Sequence, residues 1–297
     1  MITSAKDEVR VVEPGTRFST RVRDLVRYHE LIGNLVRKEL RVKYKNSFLG
    51  FLWSLLNPAL LLAIYWVVFT KFLGQAIPNF AIFLLSGLLG WNLVSTALSS
   101  SVTSLLANAS LVTKVYFPRE ALPLSTIGAS LMHFFFQLIV LALALGVLRT
   151  TVSPAAVALV PAALLTELLL LFGLCLFTAV LNVYLRDVQH LVEIGLLAWF
   201  WLTPIVYPIG YLQQNLGRYW KLSLLNPMTS ISLAYQRGIY VNTSYVNKAK
   251  ATVPLLPTAP LSWYLRNIGI VAGVSLAIAW GSWLLFRRLE SRLAEEL

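Results

Sequence analysis

Long apolar stretches separated by short polar segments dominate the pattern of this chain. Six of them are long enough to cross a bilayer, because a spanning helix needs about 20 mainly apolar residues at a rise of about 1.5 Å each. These stretches cover residues 48–70, 80–101, 122–148, 156–181, 190–208 and 262–286. The pattern predicts an all-α integral membrane protein with six transmembrane helices.

The N-terminal part of the chain precedes the first apolar stretch. Residues 1–20 are polar and charged, which predicts a disordered cytoplasmic tail. Residues 21–47 place apolar side chains near helical spacing and basic side chains on the remaining arc, which predicts an amphipathic helix at the membrane surface. Such a helix either serves only as an anchor that fixes the topology or also docks a partner.

The segment between the fifth and sixth apolar stretches is too polar to span and too apolar for a solvated loop. It predicts two short re-entrant helices, at about 208–218 and 227–240, near the outer mouth of a pathway. Pro227 after Asn226 suits a helix start. The alternative is an amphipathic loop that lies on the outer surface.

Basic residues are concentrated at the ends of the chain. Of its 25 Lys and Arg residues, eleven precede Phe48, and Arg287, Arg288 and Arg292 follow the last stretch. Basic flanks mark the cytoplasmic side of a membrane protein, so we expect both termini in the cytoplasm. Only 13% of the residues are charged and 57% are hydrophobic, so the net charge of +12 indicates a membrane surface rather than nucleic acid.

Signals for catalysis are weak in this sequence. It contains no phosphate-binding loop, no HExxH motif and no paired Cys/His spacing, and Cys175 is its single cysteine. We therefore predict no catalytic residue, no metal site and no cofactor in this chain. Two ionisable residues fall deep in apolar stretches, His133 and Glu167. As a pair they would either fix helix packing or form the proton relay of an ion-coupled secondary transporter.

Aromatic residues cluster in the first and fifth apolar stretches. The first group is Tyr65, Trp66, Phe69 and Phe72, and the second is Trp199, Phe200, Trp201 and Tyr207. Such residues form interfacial belts in many membrane proteins. Alternatively, their flat faces line a path along which sugars slide.

The cytoplasmic segment 102–121 is longer and more apolar than a tight turn requires. We expect a short helix from Leu111 to Tyr116 that stops before Pro118. An amphipathic knob that faces the cytosol would then hold Lys114, Tyr116, Phe117 and Arg119. Aromatic residues and arginine often contribute much of the binding energy at interfaces.

Four ordered blocks of the sequence resemble a known family. They read RKELRVKYKNSFLGFLWSLLNP, VTKVYFPREALP, YLRDVQHLVEIGLLAWFWLTPIVYP and LLNPMTSISLAYQRGIY. Together they resemble the ABC-2 type permeases that export O-antigen, capsule, teichoic acid or galactan. The resemblance implies a homodimer served by two separate ATPase subunits, which hold ATP and magnesium. It also implies a glycan on a polyprenyl-pyrophosphate carrier as substrate, and a place in the bacterial inner membrane.

The resemblance also implies roles for particular residues. The ATPase-coupling residues would be Lys114, Val115, Tyr116, Phe117, Pro118, Arg119 and Glu120, with Arg186 and Asp187 in the next cytoplasmic turn. The aromatic residues of the first and fifth stretches would line the glycan path. The external gate would hold Tyr211, Tyr219, Trp220, Asn226, Pro227 and Tyr235. From their charge and position, Arg37, Lys38, Arg41, Lys43 and Lys45 are candidates to face the pyrophosphate.

Other functions remain open at this point. Within the same family, the cargo could be a drug or a small lipid. An ion-coupled secondary transporter would depend on His133 and Glu167. A membrane glycosyltransferase or ligase is disfavoured because residues 209–261 contain neither Asp nor Glu.

Overall fold

The structure is a computed structural model. It describes residues 23, 25–45, 47, 49–68, 77, 79–115, 117–150, 152–240, 244–246, 252–290 and 292–296. The predicted tail at residues 1–20 lies outside this range. The described residues are helical except for turns and one short hairpin.

The first half of the fold leads from an N-terminal helix into three apolar helices. In chain order the helices are α1 (His29–Tyr44), α2 (Trp53–Val67), α3 (Phe80–Val102), α4 (Ser104–Ala107), α5 (Ala109–Lys114) and α6 (Ala121–Val147). A 3₁₀ turn at Gly50–Leu52 precedes α2.

The second half contains the remaining helices and a hairpin. They are α7 (Pro154–Val157), α8 (Leu159–Tyr184), α9 (Val188–Leu202), α10 (Ile209–Leu216), α11 (Pro227–Ile239), β1 (Ser244–Val246), β2 (Thr252–Pro254), α12 (Leu261–Glu290) and α13 (Leu293–Glu296). A 3₁₀ helix, Gly217–Leu225, joins α10 to α11.

Four helical segments among the described residues are long and apolar enough to cross a membrane. They are Phe80–Val102, Ala121–Val147, Pro154–Tyr184 and Leu261–Glu290. The helices of the first and fifth apolar stretches are shorter, at 15 residues each. The fifth stretch was predicted to be helical as far as residue 208, but α9 ends at Leu202. Thr203 adopts an extended backbone because the ring of Pro204 disfavours helical geometry in the residue before it.

The helix α3 is the centre of the bundle. Almost every one of its residues is buried, from Phe80 to Val102, and it packs against α6, α8, α9 and α11. A helix that is apolar on all sides must be surrounded by protein or lipid. The core of the bundle therefore forms around α3.

A second cluster of apolar side chains lies at the end of the bundle that holds α1 and α5. Leu35 of α1 is buried there with Phe117, Val180 and Phe286. Leu35 of α1 faces inwards, while Val42 of the same helix is 63% exposed. The location of this helix at the membrane surface stays a prediction.

The short hairpin was not expected from the sequence. Its strands pair antiparallel, with Tyr245 opposite Val253. The described fold is therefore helical apart from this two-stranded hairpin, and not strictly all-α as predicted. A Cβ atom on Gly210 of α10 would lie 1.9 Å from the Pro254 carbonyl oxygen. Only a glycine permits this close approach of α10 to β2.

Candidate functional site

Three of the predicted basic residues, Arg37, Lys38 and Arg41, lie along one face of α1. A groove of about 390 Å³ is bordered by Asn34, Arg37, Lys38, Arg41 and Val42, which are spaced to share a face. Three of these side chains carry positive charge and none is acidic. The described part of this groove is therefore suited to an anion. Lys45 is also exposed, while the side chain of Lys43 is not among those described.

Two hydrogen bonds position the cations of this groove. Arg37 donates to Asn34 Oδ1 within the helix at 3.2 Å. Lys38 donates to Asn108 Oδ1 at 2.6 Å, and Asn108 immediately precedes α5. The structure thus connects two sites that the sequence places 70 residues apart.

The predicted coupling segment divides into an exposed part and a buried part. Lys114 and Val115 are exposed, with Val115 at 52%. Phe117 is only 6% exposed and packs in the second apolar cluster, beside Leu35. The expectation that Phe117 faces the cytosol is therefore wrong, because its apolar ring gains more by joining that core than by facing water. Tyr116 lies outside the described residues.

Other residues of the segment are also directed inwards. Pro118 and Glu120 are buried, and the Arg119 guanidinium donates a hydrogen bond to the backbone carbonyl of Glu290 at the end of α12. The predicted Leu111–Tyr116 helix is observed as α5, two residues earlier.

The second predicted cytoplasmic turn approaches the same end of α12. Arg186 and Asp187 are exposed in the turn between α8 and α9. The hydroxyl of Tyr184, just before this turn, donates to the carbonyl of Leu289 at 3.0 Å. The structure thus brings both candidate coupling segments to the C-terminal end of α12, which no sequence motif indicated.

The aromatic residues of α9 do not share one environment. Trp201 is 60% exposed, and Tyr207 donates a hydrogen bond to the Trp201 carbonyl at 2.9 Å. Trp199 and Phe200 instead face α3, with ring centroids 5.9 and 5.4 Å from that of Trp91. Of the three α9 rings, Trp201 is therefore the most exposed, whereas Trp199 and Phe200 are half-buried.

The aromatic residues of α2 are split in a similar way. Tyr65 is half-buried and packs against the core, whereas Trp66 is 43% exposed. Phe69 and Phe72 lie outside the described residues.

Asn226 links the end of α9 to the start of α11. Its Oδ1 accepts hydrogen bonds from Trp199 Nε1 at 2.7 Å and from the Met228 backbone N–H at 3.0 Å. Its Nδ2 donates to Thr203 Oγ1 at 2.9 Å. Asn226 is the N-cap of α11, and Pro227 occupies the first turn, which confirms the predicted helix start.

We expect Asn226→Ala to lower the stability of the folded chain by about 1–2 kcal/mol, because it removes a helix cap and leaves Trp199 without its acceptor. Asn215→Ala is the matched control, since Asn215 is exposed on the neighbouring α10. Thermal unfolding of both purified variants in the same detergent would measure the difference. Equal melting temperatures for the two variants would show that Asn226 does not hold α9 and α11 together.

The other predicted gate residues fall into two groups. Tyr211 and Tyr219 are 41% and 58% exposed, and Trp220 packs against Trp263 with ring centroids 6.4 Å apart. Tyr235 is fully buried in the core. Its side chain is therefore part of the core of the bundle and does not lie on an open surface.

Tyr235 is the partner of the buried carboxylate. Its hydroxyl donates to Glu167 Oε2 at 2.7 Å, and the other carboxylate oxygen of Glu167 makes no hydrogen bond within the described structure. The suggested pair of His133 with Glu167 is not formed, and His133 stacks edge-on with Phe136. This geometry supports a packing role for Glu167 and gives no support to a proton relay between these two residues.

Two glycines of α3 make room for the polar face of α11. A Cβ atom on Gly90 would lie 2.7 Å from the Tyr235 ring, and one on Gly87 would lie 2.8 Å from Gln236 Nε2. Sequence reasoning missed both positions. The G-L-L-G spacing, three residues apart on an apolar helix, is the signal that could have indicated a close helix contact.

Among the described residues, no three His, Cys, Asp or Glu side chains come together as a possible metal site. The features that stand out are therefore surfaces and contacts: the basic groove, the exposed end of α5, the exposed ring of Trp201 and the Asn226 junction.

Comparisons with known proteins agree on one family. The profile of the ABC-2 type transporter family matches residues 30–239. An O-antigen export system permease protein RfbA from Myxococcus xanthus is 34% identical over 276 residues, which cover 93% of this chain and 98% of that protein. Two proteins of the same name from Klebsiella pneumoniae are 32% and 30% identical, each over 72% of this chain and 81% of its own length.

Proposed function

This chain belongs to the ABC-2 type transporter family, and we propose that it is the transmembrane permease subunit of an ATP-binding cassette exporter. Its cargo would be a polysaccharide on a polyprenyl-pyrophosphate carrier, moved from the cytoplasm across the bacterial inner membrane. The observation that carries this proposal is the similarity to the Myxococcus permease, which extends over 93% of the chain.

The proposed topology has six crossings, with both termini in the cytoplasm. Helices α2 and α9, of 15 residues each, would be the first and fifth crossings. Each is about 22 Å long, which is less than the roughly 30 Å of the hydrocarbon core, so the residues beside them must complete the crossing. Helices α10 and α11 would be the external re-entrant gate, tolerated in the membrane because α11 is buried in protein.

The proposed homodimer would form around α9 and α2. One face of α9 is strongly exposed in the single chain, with Leu191 at 67%, Ile194 at 67% and Leu197 at 64%. On α2, Leu60 and Ile64 are also exposed. A second copy that meets these faces would enclose a path between the two chains, with Trp201 and Trp66 beside it.

The proposed motor consists of two separate ATPase subunits, which would hold ATP and magnesium. ATP binding can drive export only if the ATPase binds two states of the permease with different affinity. The exposed end of α5 is the proposed contact. The Arg119 bond to Glu290 and the Tyr184 bond to Leu289 would pass the movement to α12 and hence to the bundle.

We propose that the basic groove of α1 receives the pyrophosphate of the carrier lipid. Arg37, Lys38 and Arg41 border it, and guanidinium and ammonium groups bind phosphate oxygens through charge-assisted hydrogen bonds. Lys43 and Lys45 would extend the positive field along the same stretch. The glycan would then pass Trp66 and Trp201, whose flat faces suit a polymer that slides.

If the exposed end of α5 is the ATPase contact, substitutions there should reduce coupling without reducing stability. The exposed double variant Lys114→Ala/Val115→Ala should lose most ATPase coupling while the permease keeps its melting temperature. Phe117→Ala should instead lower the stability of the permease itself by about 3–5 kcal/mol, because it empties a buried position. Co-purification with the ATPase measures the effect of the double variant on the contact. Thermal unfolding of the permease measures the effect of Phe117→Ala on stability. A double variant that couples normally would refute the proposed contact.

The experiment that tests the function is reconstitution of the permease with its ATPase subunit in lipid nanodiscs. We expect ATP hydrolysis to rise when a lipid-linked glycan is added and to stay unchanged with a small amphipathic drug. Stimulation by the drug and not by the glycan would favour the drug or small-lipid exporter. Transport that follows a proton gradient without any ATPase would overturn the proposal.

A further inference from the structure

Asn108 joins the basic groove to the proposed coupling helix. Its Oδ1 accepts the hydrogen bond from Lys38 at 2.6 Å, and its Nδ2 donates to the Ser104 carbonyl at 2.8 Å. The residue is only 5% exposed. Both ends of this buried amide are therefore used, and one of them depends on a cation that also borders the groove.

The position of Asn108 gives its oxygen a second possible partner. Asn108 is the N-cap residue of α5, yet its side chain does not cap that helix. An Asn in this position ordinarily accepts a hydrogen bond from an N–H group of the first turn. The Ser104 hydroxyl, one helical turn earlier, is also buried and makes no hydrogen bond within the described structure. If Lys38 left, Oδ1 could turn to either donor.

The ammonium group of Lys38 likewise has two possible partners, Asn108 and an anion in the groove. With Arg37 and Arg41 it borders the groove, where it would contact a bound anion. A hydrogen bond between ammonium and phosphate is charge-assisted on both sides and is stronger than one between ammonium and a neutral amide. An anion in the groove therefore competes with Asn108 for the same ammonium group.

We propose that the diphosphate of the lipid-linked substrate draws Lys38 away from Asn108 and thereby changes how the α5 helix presents Lys114 and Val115 to the ATPase. This inference rests on the proposed function and adds the route by which the exporter senses its cargo. Because such coupling is reciprocal, docking of the ATPase on α5 must change the affinity of the groove for diphosphate by the same factor.

The test separates binding from response. The permease is placed in nanodiscs of neutral lipid and titrated with undecaprenyl diphosphate, and its affinity is measured by thermophoresis. ATP hydrolysis is then measured at saturating ligand with the ATPase subunit bound. The variants are Asn108→Ala, Asn108→Asp and, as a control in the groove alone, Arg41→Gln.

The two substitutions at Asn108 are expected to act in opposite directions on affinity. Asn108→Ala frees Lys38, so the diphosphate should bind about fivefold tighter while its stimulation of ATP hydrolysis falls. Asn108→Asp holds Lys38 in an ion pair, so binding should weaken by a similar factor. Arg41→Gln should weaken binding but keep full stimulation at saturation. Size-exclusion profiles that match the wild type show that each variant is folded.

Each outcome bears on the proposal. Wild-type affinity in both Asn108 variants would overturn the link while leaving the export function intact. A wild-type permease that binds neither undecaprenyl diphosphate nor phosphatidylglycerol would overturn the link, whereas the export function is tested separately by the stimulation of ATP hydrolysis with a lipid-linked glycan. The same titrations are repeated with phosphatidylglycerol as a second ligand. If it reproduces the same order among the variants and the diphosphate does not, the link stands and the anion is a membrane headgroup.

Discussion

Gly173→Ala is expected to destabilise the folded permease, although alanine is ordinarily the better helix former. Gly173 lies where α8 crosses α12. A Cβ atom there would be 2.8 Å from the Ala279 backbone nitrogen and 2.9 Å from its Cα. Backbone atoms cannot turn aside as a flexible side chain can, so the two helices would have to separate.

The matched control is Gly273→Ala on α12. Gly273 has no heavy atom within 4 Å of its Cβ position. There the substitution should stabilise the helix by up to about 1 kcal/mol, through helix propensity and the lower entropy of the unfolded chain. At Gly173 the same gain is offset by overpacking, which costs about 1–3 kcal/mol.

The two alanine variants should therefore shift the melting temperature in opposite directions. Thermal unfolding of the purified permease in one detergent measures both shifts, and the monodisperse fraction after heating provides a second reading. Shifts of the same sign would mean that α8 and α12 do not approach as closely as the structure shows. Such a result would also weaken the proposed coupling route, because α12 accepts the hydrogen bonds from Arg119 and Tyr184.

Tyr235→Phe is the second substitution with a large expected effect. It removes the hydroxyl that donates to Glu167 Oε2 at 2.7 Å and leaves a fully buried carboxyl group without a donor. An unsatisfied buried polar group costs about 1–3 kcal/mol, and more if it is charged. Tyr219→Phe is the control, because Tyr219 is 58% exposed.

A double-mutant cycle isolates the interaction between these two residues. Glu167→Gln keeps this hydrogen bond, because the amide oxygen still accepts from Tyr235. Glu167→Met removes the acceptor, and in that background Tyr235→Phe should cost much less than it does in the wild type. Equal costs in both backgrounds would show that the hydrogen bond contributes nothing.

The same cycle distinguishes two uses of α11. If α11 is a fixed wall, Tyr235→Phe should lower stability and export together. If α11 moves as a gate, the loss of its bond to α8 should change ATP hydrolysis in the absence of substrate as well. Measuring basal hydrolysis beside the melting temperature separates the two.

Several local elements followed from neighbouring residues alone. Pro227 after Asn226 indicated the start of α11, because proline suits the first helical turn and asparagine caps it. Pro118 indicated the end of the short helix α5 to within two residues. These predictions succeeded because caps and breakers act over one helical turn.

Predictions that depended on the direction of a side chain were less successful. Phe117 was expected to face the cytosol but is buried, and Glu167 was expected near His133 but accepts a hydrogen bond from Tyr235. In an apolar helix the period of hydrophobic residues is nearly uninformative, because lipid and protein neighbours both favour apolar side chains. Which face meets which neighbour therefore cannot be read from such a helix by itself.

The sequence by itself determined the class of the protein, its apolar helices, the basic N-terminal stretch and the family to which it belongs, because these depend on length, composition and local order along the chain. Only the tertiary structure decided that Lys38 reaches Asn108, that Asn226 joins α9 to α11 and that Arg119 and Tyr184 both bond the end of α12. Each of these contacts joins residues distant in sequence, and their partners are selected by the packing of the whole bundle rather than by any local pattern.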